Sequence, residues 1–397
     1  MLRQQTTPSA KTSLISFRVN NSTNDIPLKH SQQPINNENM QATLILEDGT
    51  TFQGRSFGAK RSVSGEVVFN TAMTGYVESL TDPSYAGQLM TLTYPLVGNY
   101  GVPPFTIQAD GLAHFMESDR IYASALIVSD YSECYSHWNA VESLSQWMER
   151  EGIPGITDID TRALTKVLRR HGVMMGKIVI EGDKPEDVPE ETYGEVNFVE
   201  RVSCKEIIRY NEGAEKRVVL VDCGVKNNIL RSLINRGVEV VRVPWDFDFN
   251  TMEFDGLFLA NGPGDPDRCG RTVRNIQKFL ANEQVRPLMG ICMGNQLLAK
   301  AAGATIYKLK YGHRSHNQPV REIGTNRCFI TSQNHGFAVN AKGLPADWKP
   351  YFENMNDGSN EGIRHTSKPW YSAQFHPEAC GGPTDTMFLF DNFVKLL

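Results

Sequence analysis

An apolar run that ends in a glycine-framed cysteine restricts one stretch of this chain to a sharp strand-to-helix turn. Residues 287–296 read PLMGICMGNQ, so Cys292 lies two residues from a glycine on either side. The apolar residues before it favour a strand, and residues 297–302 favour a helix. Such a turn lifts the side chain above the sheet edge and needs small residues where the backbone folds back. The helix N-terminus beneath the sulfur favours a thiolate, so the pattern predicts a nucleophile.

A segment further along the chain supplies a candidate base. Residues 370–378 read WYSAQFHPE, which places His376 at the end of a short strand and Glu378 two residues later. A histidine in this position can take the cysteine proton, and the glutamate can hold the far nitrogen of the ring. Pro377 restricts φ between them and stiffens the turn. The segment therefore predicts a base with its orienting carboxylate.

A glycine-rich loop supplies the third candidate element. Residues 259–266 read LANGPGDP after an apolar run, and glycines allow backbone N–H groups to point at a developing negative charge. Each of the three motifs also has a purely structural interpretation: a core cysteine, a surface turn and a tight turn. Cys380 is a rival nucleophile four residues after His376, but no strand-turn-helix pattern surrounds it, so we interpret it as incidental. The catalytic interpretation depends on the three motifs occurring in order within one α/β stretch.

These motifs, in this order, resemble the class I (triad) glutamine amidotransferase domain. Further segments narrow the resemblance to the small, glutaminase subunit of carbamoyl-phosphate synthase, over a span from about residue 41 to the C-terminus. The segments that carry the narrower resemblance are EDG at 47–49, GEVVF at 65–69, LTDPSY at 80–85, TYPLVGNYG at 93–101, ITDIDTR at 156–162 and QNHGFAV at 333–339.

The resemblance implies a reaction and a set of roles. Cys292 would attack the side-chain amide carbon of L-glutamine, release ammonia and leave a thioester that water hydrolyses. His376 would act as base and then acid, Glu378 would orient it, and the N–H groups of Gly262 and Met293 would bind the oxyanion. The amino-acid end of glutamine would be held at Ser84, Gly264, Gln296, Asn334, Gly336 and Phe337. Backbone and amide partners of this kind suit a zwitterion.

Two positions depart from the family pattern. Met293 replaces a common leucine, and only its N–H is needed. Asn295 replaces a common histidine outside the triad, so we expect altered packing or hydrogen bonding with the chemistry intact.

The predicted fold class is α/β. From residue 217 the pattern alternates between strand and helix, with apolar strands at 218–221 and 238–241 and a helical stripe at 229–234. This favours a mostly parallel sheet with helices on both faces over 217–397. We predict a smaller mixed β/α domain at 40–180, with a strand at 42–46 and a helix at 140–150, and a charged linker at 181–216. Ligands bind such sheets at the carboxyl ends of strands, where all three motifs fall.

Residues 1–39 differ in composition from the rest of the chain. They are rich in Ser, Thr, Asn and Gln and have no acid before Asp25. A transit peptide and a disordered tail both fit this composition. The expected location is therefore the cytoplasm, or the mitochondrion or plastid if the segment is a transit peptide. Seven cysteines without paired spacing favour a reducing compartment.

Other functions find little support in the sequence. A net charge of −5 gives no nucleic-acid signature, and no apolar run is long enough to cross a bilayer. Residues 172–178 are too short for a phosphate loop, and His313 and His316 have no acids or cysteines at ligand spacing, so no metal site is predicted. We therefore expect no cofactor on this chain, with ATP, magnesium and bicarbonate on a large synthetase subunit that docks on the N-terminal domain.

Three alternatives remain open from the sequence. The chain could be the glutaminase component of another amidotransferase, or a hydrolase resembling a cysteine peptidase; the N-terminal segments argue against both. It could also be a non-catalytic regulatory subunit of the same fold; the intact Cys292, His376 and Glu378 argue against this.

Overall fold

A closed β-barrel is followed along the chain by a ten-stranded sheet. This architecture is taken from a computed structural model that describes residues 40–397. The predictions made for residues 1–39 lie outside the described residues. No described helix combines the length and the apolar character that a membrane span needs.

The barrel occupies the first part of the described chain. Seven strands close it in the order β1-β2-β8-β6-β4-β3-β9, and β5 pairs with β7 in a separate small sheet. The elements are β1 (Gln41–Leu46), β2 (Thr51–Gly58), β3 (Val63–Asn70), α1 (Tyr76–Thr81), β4 (Gln88–Leu92), β5 (Leu96–Val97), β6 (Ala125–Ile127), β7 (Asp130–Tyr131), α2 (Leu144–Arg150), β8 (Pro154–Thr157), α3 (Thr161–His171) and β9 (Met174–Ile180).

Local sequence explains the bounds of two predicted elements. In β1 the apolar residues alternate with more exposed ones, as in a strand with one face against the core. Helix α2 begins at Leu144 rather than at 140 because Ser143 caps it. The Ser143 side chain accepts from the Gln146 N–H, and the Gln146 side chain accepts from the Ser143 N–H. This reciprocal capping box sets the start of the helix.

The second part of the described chain holds the large sheet and five further helices. Its elements are α4 (Phe198–Val202), β10 (Ile208–Tyr210), β11 (Lys216–Asp222), α5 (Asn227–Ile234), β12 (Val238–Pro244), β13 (Gly256–Leu259), α6 (Gly270–Leu280), β14 (Leu288–Ile291), α7 (Met293–Ala302), β15 (Ile306–Glu322), β16 (Cys328–Val339), β17 (Trp348–Asn354), β18 (Asn360–His365), β19 (Trp370–Ala373) and α8 (Phe388–Leu396). Short 3-10 turns lie at Pro83–Tyr85, Pro185–Asp187, Phe249–Thr251, Pro266–Cys269 and Ala341–Gly343.

The predicted parallel sheet with helices on both faces is confirmed as the core of this second part. Strands β12, β11, β13, β14 and β19 run parallel as neighbours. Along β11, Val218 and Leu220 pack on the face covered by α5 and α8, while Val219 and Val221 pack on the face covered by α6 and α7. Burial on both faces requires the continuous apolar run that the sequence shows.

Antiparallel strands extend the parallel core on both sides, which the sequence pattern did not indicate. Beyond β19 the sheet continues through β18, β16, β15 and β17, and β10 pairs antiparallel with β12 at the other edge. The segment predicted as a linker, 181–216, thus contributes a strand. It also contributes Tyr193, Phe198 and Val202, which pack in one apolar cluster with Ala86 of the preceding part.

Candidate active site

The glycine-framed cysteine lies at a sharp turn between β14 and α7. Cys292 has φ 52° and ψ −103°, a conformation that costs a non-glycine residue about 1–3 kcal/mol. Its N–H donates to the Ala373 carbonyl at 2.9 Å, which ties the turn to β19. A Cβ on Gly294 would lie 2.1 Å from the Leu259 carbonyl oxygen, and one on Gly290 would lie 2.8 Å from the backbone of Gly294. The flanking glycines therefore allow α7 to pack directly on the sheet.

The predicted base and its carboxylate lie in contact and are fully buried. His376 Nδ1 is 2.7 Å from Glu378 Oε1, and the His376 N–H donates to the Ser332 carbonyl on β16. Nε2 of His376 has no hydrogen-bond partner at ordinary distance among the described residues. The Cys292 thiol is nevertheless close enough to influence the pKa of His376. The thiol itself donates to the Asn334 carbonyl oxygen at 3.6 Å, and the hydrogen bonds of catalytic groups commonly tighten only when substrate binds.

The neighbouring charges favour the protonated form of this histidine. Burial by itself lowers the pKa of His376, but the Glu378 carboxylate and the Cys292 thiol outweigh it and raise the pKa to about 10. Burial raises the pKa of Glu378, but Lys226 and His376 outweigh it and lower the pKa to about 2. The arrangement therefore stabilises an imidazolium between the Glu378 carboxylate and Cys292.

Lys226 is a member of this group that the sequence analysis missed. Its Nζ lies 3.0 Å from Glu378 Oε1 and 2.8 Å from the Ala379 carbonyl oxygen, and 3.5 Å from Glu117 Oε2. Lys226 is buried and follows the end of β11, the neighbour of β13 in the parallel core. A lysine just after a buried parallel strand was the available signal, since that edge of the sheet carries the site.

The His376–Glu378 pair makes the free energy of unfolding depend on pH, and the variant Glu378→Gln tests this dependence. The folded pKa of His376 lies above its ordinary 6.5, so its contribution is complete below pH 6.5 and is lost as pH rises through about 10. The folded pKa of Glu378 lies below its ordinary 4.5, so its contribution is complete above pH 4.5 and is lost as pH falls through about 2.

The free energy of unfolding of the natural protein should therefore exceed that of Glu378→Gln most between pH 4.5 and 6.5. Denaturant titrations at several pH values measure both curves. A difference that stays constant from pH 4.5 to 10 would contradict the pairing of Glu378 with a charged imidazole. Asp391→Asn, which removes an exposed carboxylate paired with Arg236, is the control and should show no such profile.

The glycine-rich loop after β13 lies beside the cysteine. A Cβ on Gly262 would lie 1.9 Å from the Cys223 carbonyl oxygen, so glycine alone fits there. Gly264 has φ 84°, and its N–H donates to the Tyr193 hydroxyl at 3.1 Å. The N–H of Met293 belongs to the first residue of α7. Gly262, Met293 and Cys292 line one cavity, and the binding of an oxyanion by the Gly262 and Met293 N–H groups stays a prediction.

One cavity collects the residues that the resemblance assigned to glutamine. Gln296 donates from Nε2 to the Phe337 carbonyl at 3.1 Å, and Asn334 donates from Nδ2 to Asp82 at 3.1 Å. Ser84 accepts from Asn261 Nδ2 at 2.9 Å. Cys292 lines this cavity together with Ser84, Gly262, Gly264, Met293, Gln296, Asn334, Gly336 and Phe337. The structure brings the predicted residues together, and their role in binding glutamine stays a prediction.

The cavity also has charged walls that the sequence analysis did not identify. Glu66, Gln88, Lys308 and Arg314 line it. The first two come from strands of the barrel and the last two from β15. The site therefore lies where the barrel and the sheet meet.

The substitution at Asn295 has a structural account. Its side chain is fully buried, donates to Gln374 Oε1 at 2.8 Å and accepts from the Ser372 hydroxyl at 2.7 Å. These are partners behind the site, in β19 and the loop after it. That the chemistry is intact with asparagine at this position stays a prediction.

His313 has acidic neighbours, contrary to the expectation from sequence spacing. Nε2 lies 2.9 Å from Asp357 and Nδ1 lies 3.4 Å from Glu361. One possible ligand atom from each of His313, His335 and Glu361 lies within 4.8 Å of the other two. His335 Nε2 is already hydrogen-bonded to Gln333 at 3.1 Å. The cluster is accounted for as a buried hydrogen-bond network, and the absence of a metal stays a prediction.

The remaining candidates lie outside the catalytic group. His316 Nδ1 is hydrogen-bonded to the Ser332 hydroxyl at 2.8 Å. Burial and the nearby Glu117 carboxylate raise the pKa of Cys380 well above that of an ordinary thiol. A thiol held protonated in this way is a poor nucleophile, which agrees with interpreting Cys380 as incidental.

Comparison with known proteins identifies the two parts separately. The family model for the carbamoyl-phosphate synthase small chain, CPSase domain, matches residues 44–178. The model for class-I glutamine amidotransferase matches residues 219–396.

Individual relatives cover most of the chain. The carbamoyl phosphate synthase arginine-specific small chain of Phaeosphaeria nodorum is 48% identical over 380 residues, which are 94% of this chain and 79% of that protein. The multifunctional protein CAD of Squalus acanthias is 51% identical over 354 residues, which are 89% of this chain but only 16% of that protein. The crystal structure of a putative GMP synthase protein from Thermoplasma acidophilum is 25% identical, with a TM-score of 0.40, and covers 46% of this chain and 93% of that one. The chain belongs to the carbamoyl-phosphate synthase small chain family, with a class I glutamine amidotransferase domain in its C-terminal part.

Proposed function

We propose that this chain hydrolyses glutamine to glutamate and ammonia as the glutaminase component of a carbamoyl-phosphate synthase. The observation that carries the proposal is that Cys292 and the glycine-rich loop line one cavity, while the His376–Glu378 pair lies close enough to Cys292 for the thiol to raise the pKa of His376. Each of these groups supplies a part that acyl transfer through a thioester requires.

The geometry supports a sequence of steps. His376 takes the proton of the Cys292 thiol, the thiolate attacks the side-chain amide carbon, and the oxyanion accepts hydrogen bonds from the Gly262 and Met293 N–H groups. The imidazolium of His376, stabilised by Glu378, then gives that proton to the departing nitrogen, and ammonia leaves. Water then attacks the thioester while His376 takes its proton, and glutamate is released with the thiol restored.

A partner is part of the proposal. Synthesis of carbamoyl phosphate needs ATP to activate bicarbonate, and the sequence shows no nucleotide-binding motif. A large synthetase chain that binds ATP, magnesium and bicarbonate is therefore the proposed recipient of the ammonia. Ammonia that reaches solvent at neutral pH becomes ammonium, which is not a nucleophile, so the transfer has to be direct. The barrel part of this chain is the proposed docking surface.

The pathway that uses the carbamoyl phosphate and the location of the protein in the cell are also proposals. The relatives include both an arginine-specific small chain and a multifunctional protein, so the product is proposed for arginine synthesis, pyrimidine synthesis or both. The cytoplasm, with mitochondrion or plastid as the alternative, stays a prediction because it depends on residues 1–39.

Purification of the native complex tests the proposal. We expect a large ATP-binding chain to co-purify, and we expect the complex to release glutamate from glutamine in step with carbamoyl phosphate formation. If this chain instead co-purifies with a different synthase, the result would favour the alternative that it is the glutaminase component of another amidotransferase. A chloroketone analogue of glutamine should form an adduct on Cys292. Absence of both the adduct and glutamine hydrolysis would favour the non-catalytic alternative.

A further inference from the structure

Arg314 is a buried cation whose charge has no partner in the described part of the chain. Its side chain belongs to β15, is 5% exposed and lines the cavity that contains Cys292. Nη1 donates to the Tyr311 carbonyl at 2.9 Å. Nε is buried and has no hydrogen-bond partner, and no carboxylate of residues 40–397 is recorded within ion-pair distance of the guanidinium. Burying an unpaired charge is costly, so such sites are normally completed by a counter-ion.

Arg314 lies near residues that the resemblance assigned to the amino-acid end of glutamine. Nη2 lies 3.4 Å from where a Cβ on Gly336 would stand. Burial raises the pKa of Tyr85 and of Tyr193, and the positive charge of Arg314 partly offsets both rises. Tyr85 follows Ser84 in the chain, and the Tyr193 hydroxyl accepts from the Gly264 N–H. The guanidinium therefore lies beside Gly336 and lines the same cavity as Ser84 and Gly264, three positions that the resemblance assigned to the amino-acid end of glutamine.

The other charges in the cavity wall are already compensated. Glu66 Oε1 lies 2.8 Å from Lys308 Nζ, and Glu66 Oε2 accepts from Gln88 Nε2 at 2.9 Å. Lys308 and Glu66 thus neutralise one another. Arg314, by contrast, has no counter-charge in this wall and can bind an anionic group of a ligand.

We infer that Arg314 binds the α-carboxylate of the substrate through Nε and Nη2. These two nitrogens form one edge of the guanidinium, and that edge matches the two oxygens of a carboxylate. Substrate, thioester and product all keep the α-carboxylate, so the contact stabilises the binding of each of them equally. Uniform binding of this kind changes KM and leaves kcat unaltered. The inference rests on the proposed hydrolysis of glutamine and names the residue that selects an α-amino acid.

The test compares Arg314→Met with a matched control, Arg286→Met. Arg286 is also a buried arginine without an ion pair among the described residues, but it stacks on Phe254 and Phe279 next to the start of β14. We expect Arg314→Met to raise KM for glutamine about 10- to 100-fold with kcat retained, as for loss of a charged hydrogen bond. Arg286→Met should leave KM unchanged. An unchanged KM in Arg314→Met would overturn the inference.

Two alkylating probes separate recognition of the carboxylate from a general structural role. A chloroketone analogue of glutamine carries the α-carboxylate, whereas iodoacetamide does not. In Arg314→Met the chloroketone should label Cys292 about 10- to 100-fold more slowly at low concentration, and iodoacetamide should label it at the natural rate. Equal slowing of both probes would overturn the inference.

Arg314→Lys keeps the test valid if the methionine variant does not fold. Lysine retains the charge but lacks the planar fork, so KM should rise by less, again with normal labelling by iodoacetamide. A lysine variant with the natural KM would overturn the bidentate contact. Failure of the natural protein to hydrolyse glutamine or react with the chloroketone would instead overturn the proposed function.

Discussion

Replacing Cys292 with serine is expected to lower the rate of glutamine hydrolysis at least about 10⁴-fold. Serine keeps the size of the side chain and the backbone of the turn, but its hydroxyl is a far weaker nucleophile than a thiolate beside His376. Release of glutamate by the purified chain measures the loss. Cys380→Ser is the matched control, because this thiol is held protonated by burial and by Glu117, and it should retain hydrolysis.

The same variant tests the division of labour between the two chains. In a complex with the large synthetase chain, Cys292→Ser should abolish carbamoyl phosphate formation from glutamine and preserve its formation from added ammonia. Loss of both activities in a folded complex would contradict the proposal that this chain supplies only ammonia.

Replacing Gly294 with alanine is expected to reduce the free energy of unfolding by at least about 3 kcal/mol. The added Cβ would stand 2.1 Å from the Leu259 carbonyl oxygen, a separation that only a movement of α7 away from β13 relieves. That movement would also displace Cys292, so labelling by the chloroketone analogue should be lost. Denaturant titration and mass spectrometry of the labelled protein give the two measurements.

Gly270→Ala is the control for this substitution. Gly270 begins α6, and the nearest atom to its added Cβ would be Arg274 Nη1 at 3.6 Å. Alanine favours a helix over glycine by about 1 kcal/mol, so this variant should be as stable as the natural protein or slightly more stable. Similar small effects for Gly294→Ala and Gly270→Ala would contradict the close packing of α7 on the sheet.

The features that the sequence predicted well are those encoded by neighbouring residues. The strand-to-helix turn at Cys292 follows from glycines two residues away, and the contact of His376 with Glu378 spans two residues. Continuous apolar runs such as 218–221 indicate strands buried on both faces, which is why the parallel core was predictable. The family itself was predicted from local motifs and is confirmed by the comparisons.

Other features depend on which distant segments become neighbours. Lys226 meets Glu378 across 152 residues, and Arg314 reaches the cavity from a strand whose pairing partners lie in β16 and β17. The barrel, the antiparallel extension and the acids near His313 likewise come from long-range strand pairing, which short patterns do not specify.

The sequence by itself determined the family, the parallel core and the residues proposed to carry the chemistry. The tertiary structure decided the electrostatics: that the Glu378 carboxylate faces a lysine, that the charged form of His376 is stabilised, and that Arg314 lines the cavity with no ion-pair partner among residues 40–397. The physical reason is that backbone conformation responds to adjacent residues, whereas the energy of a buried charge depends on every group around it. Those groups come together only when the sheet and the barrel have formed.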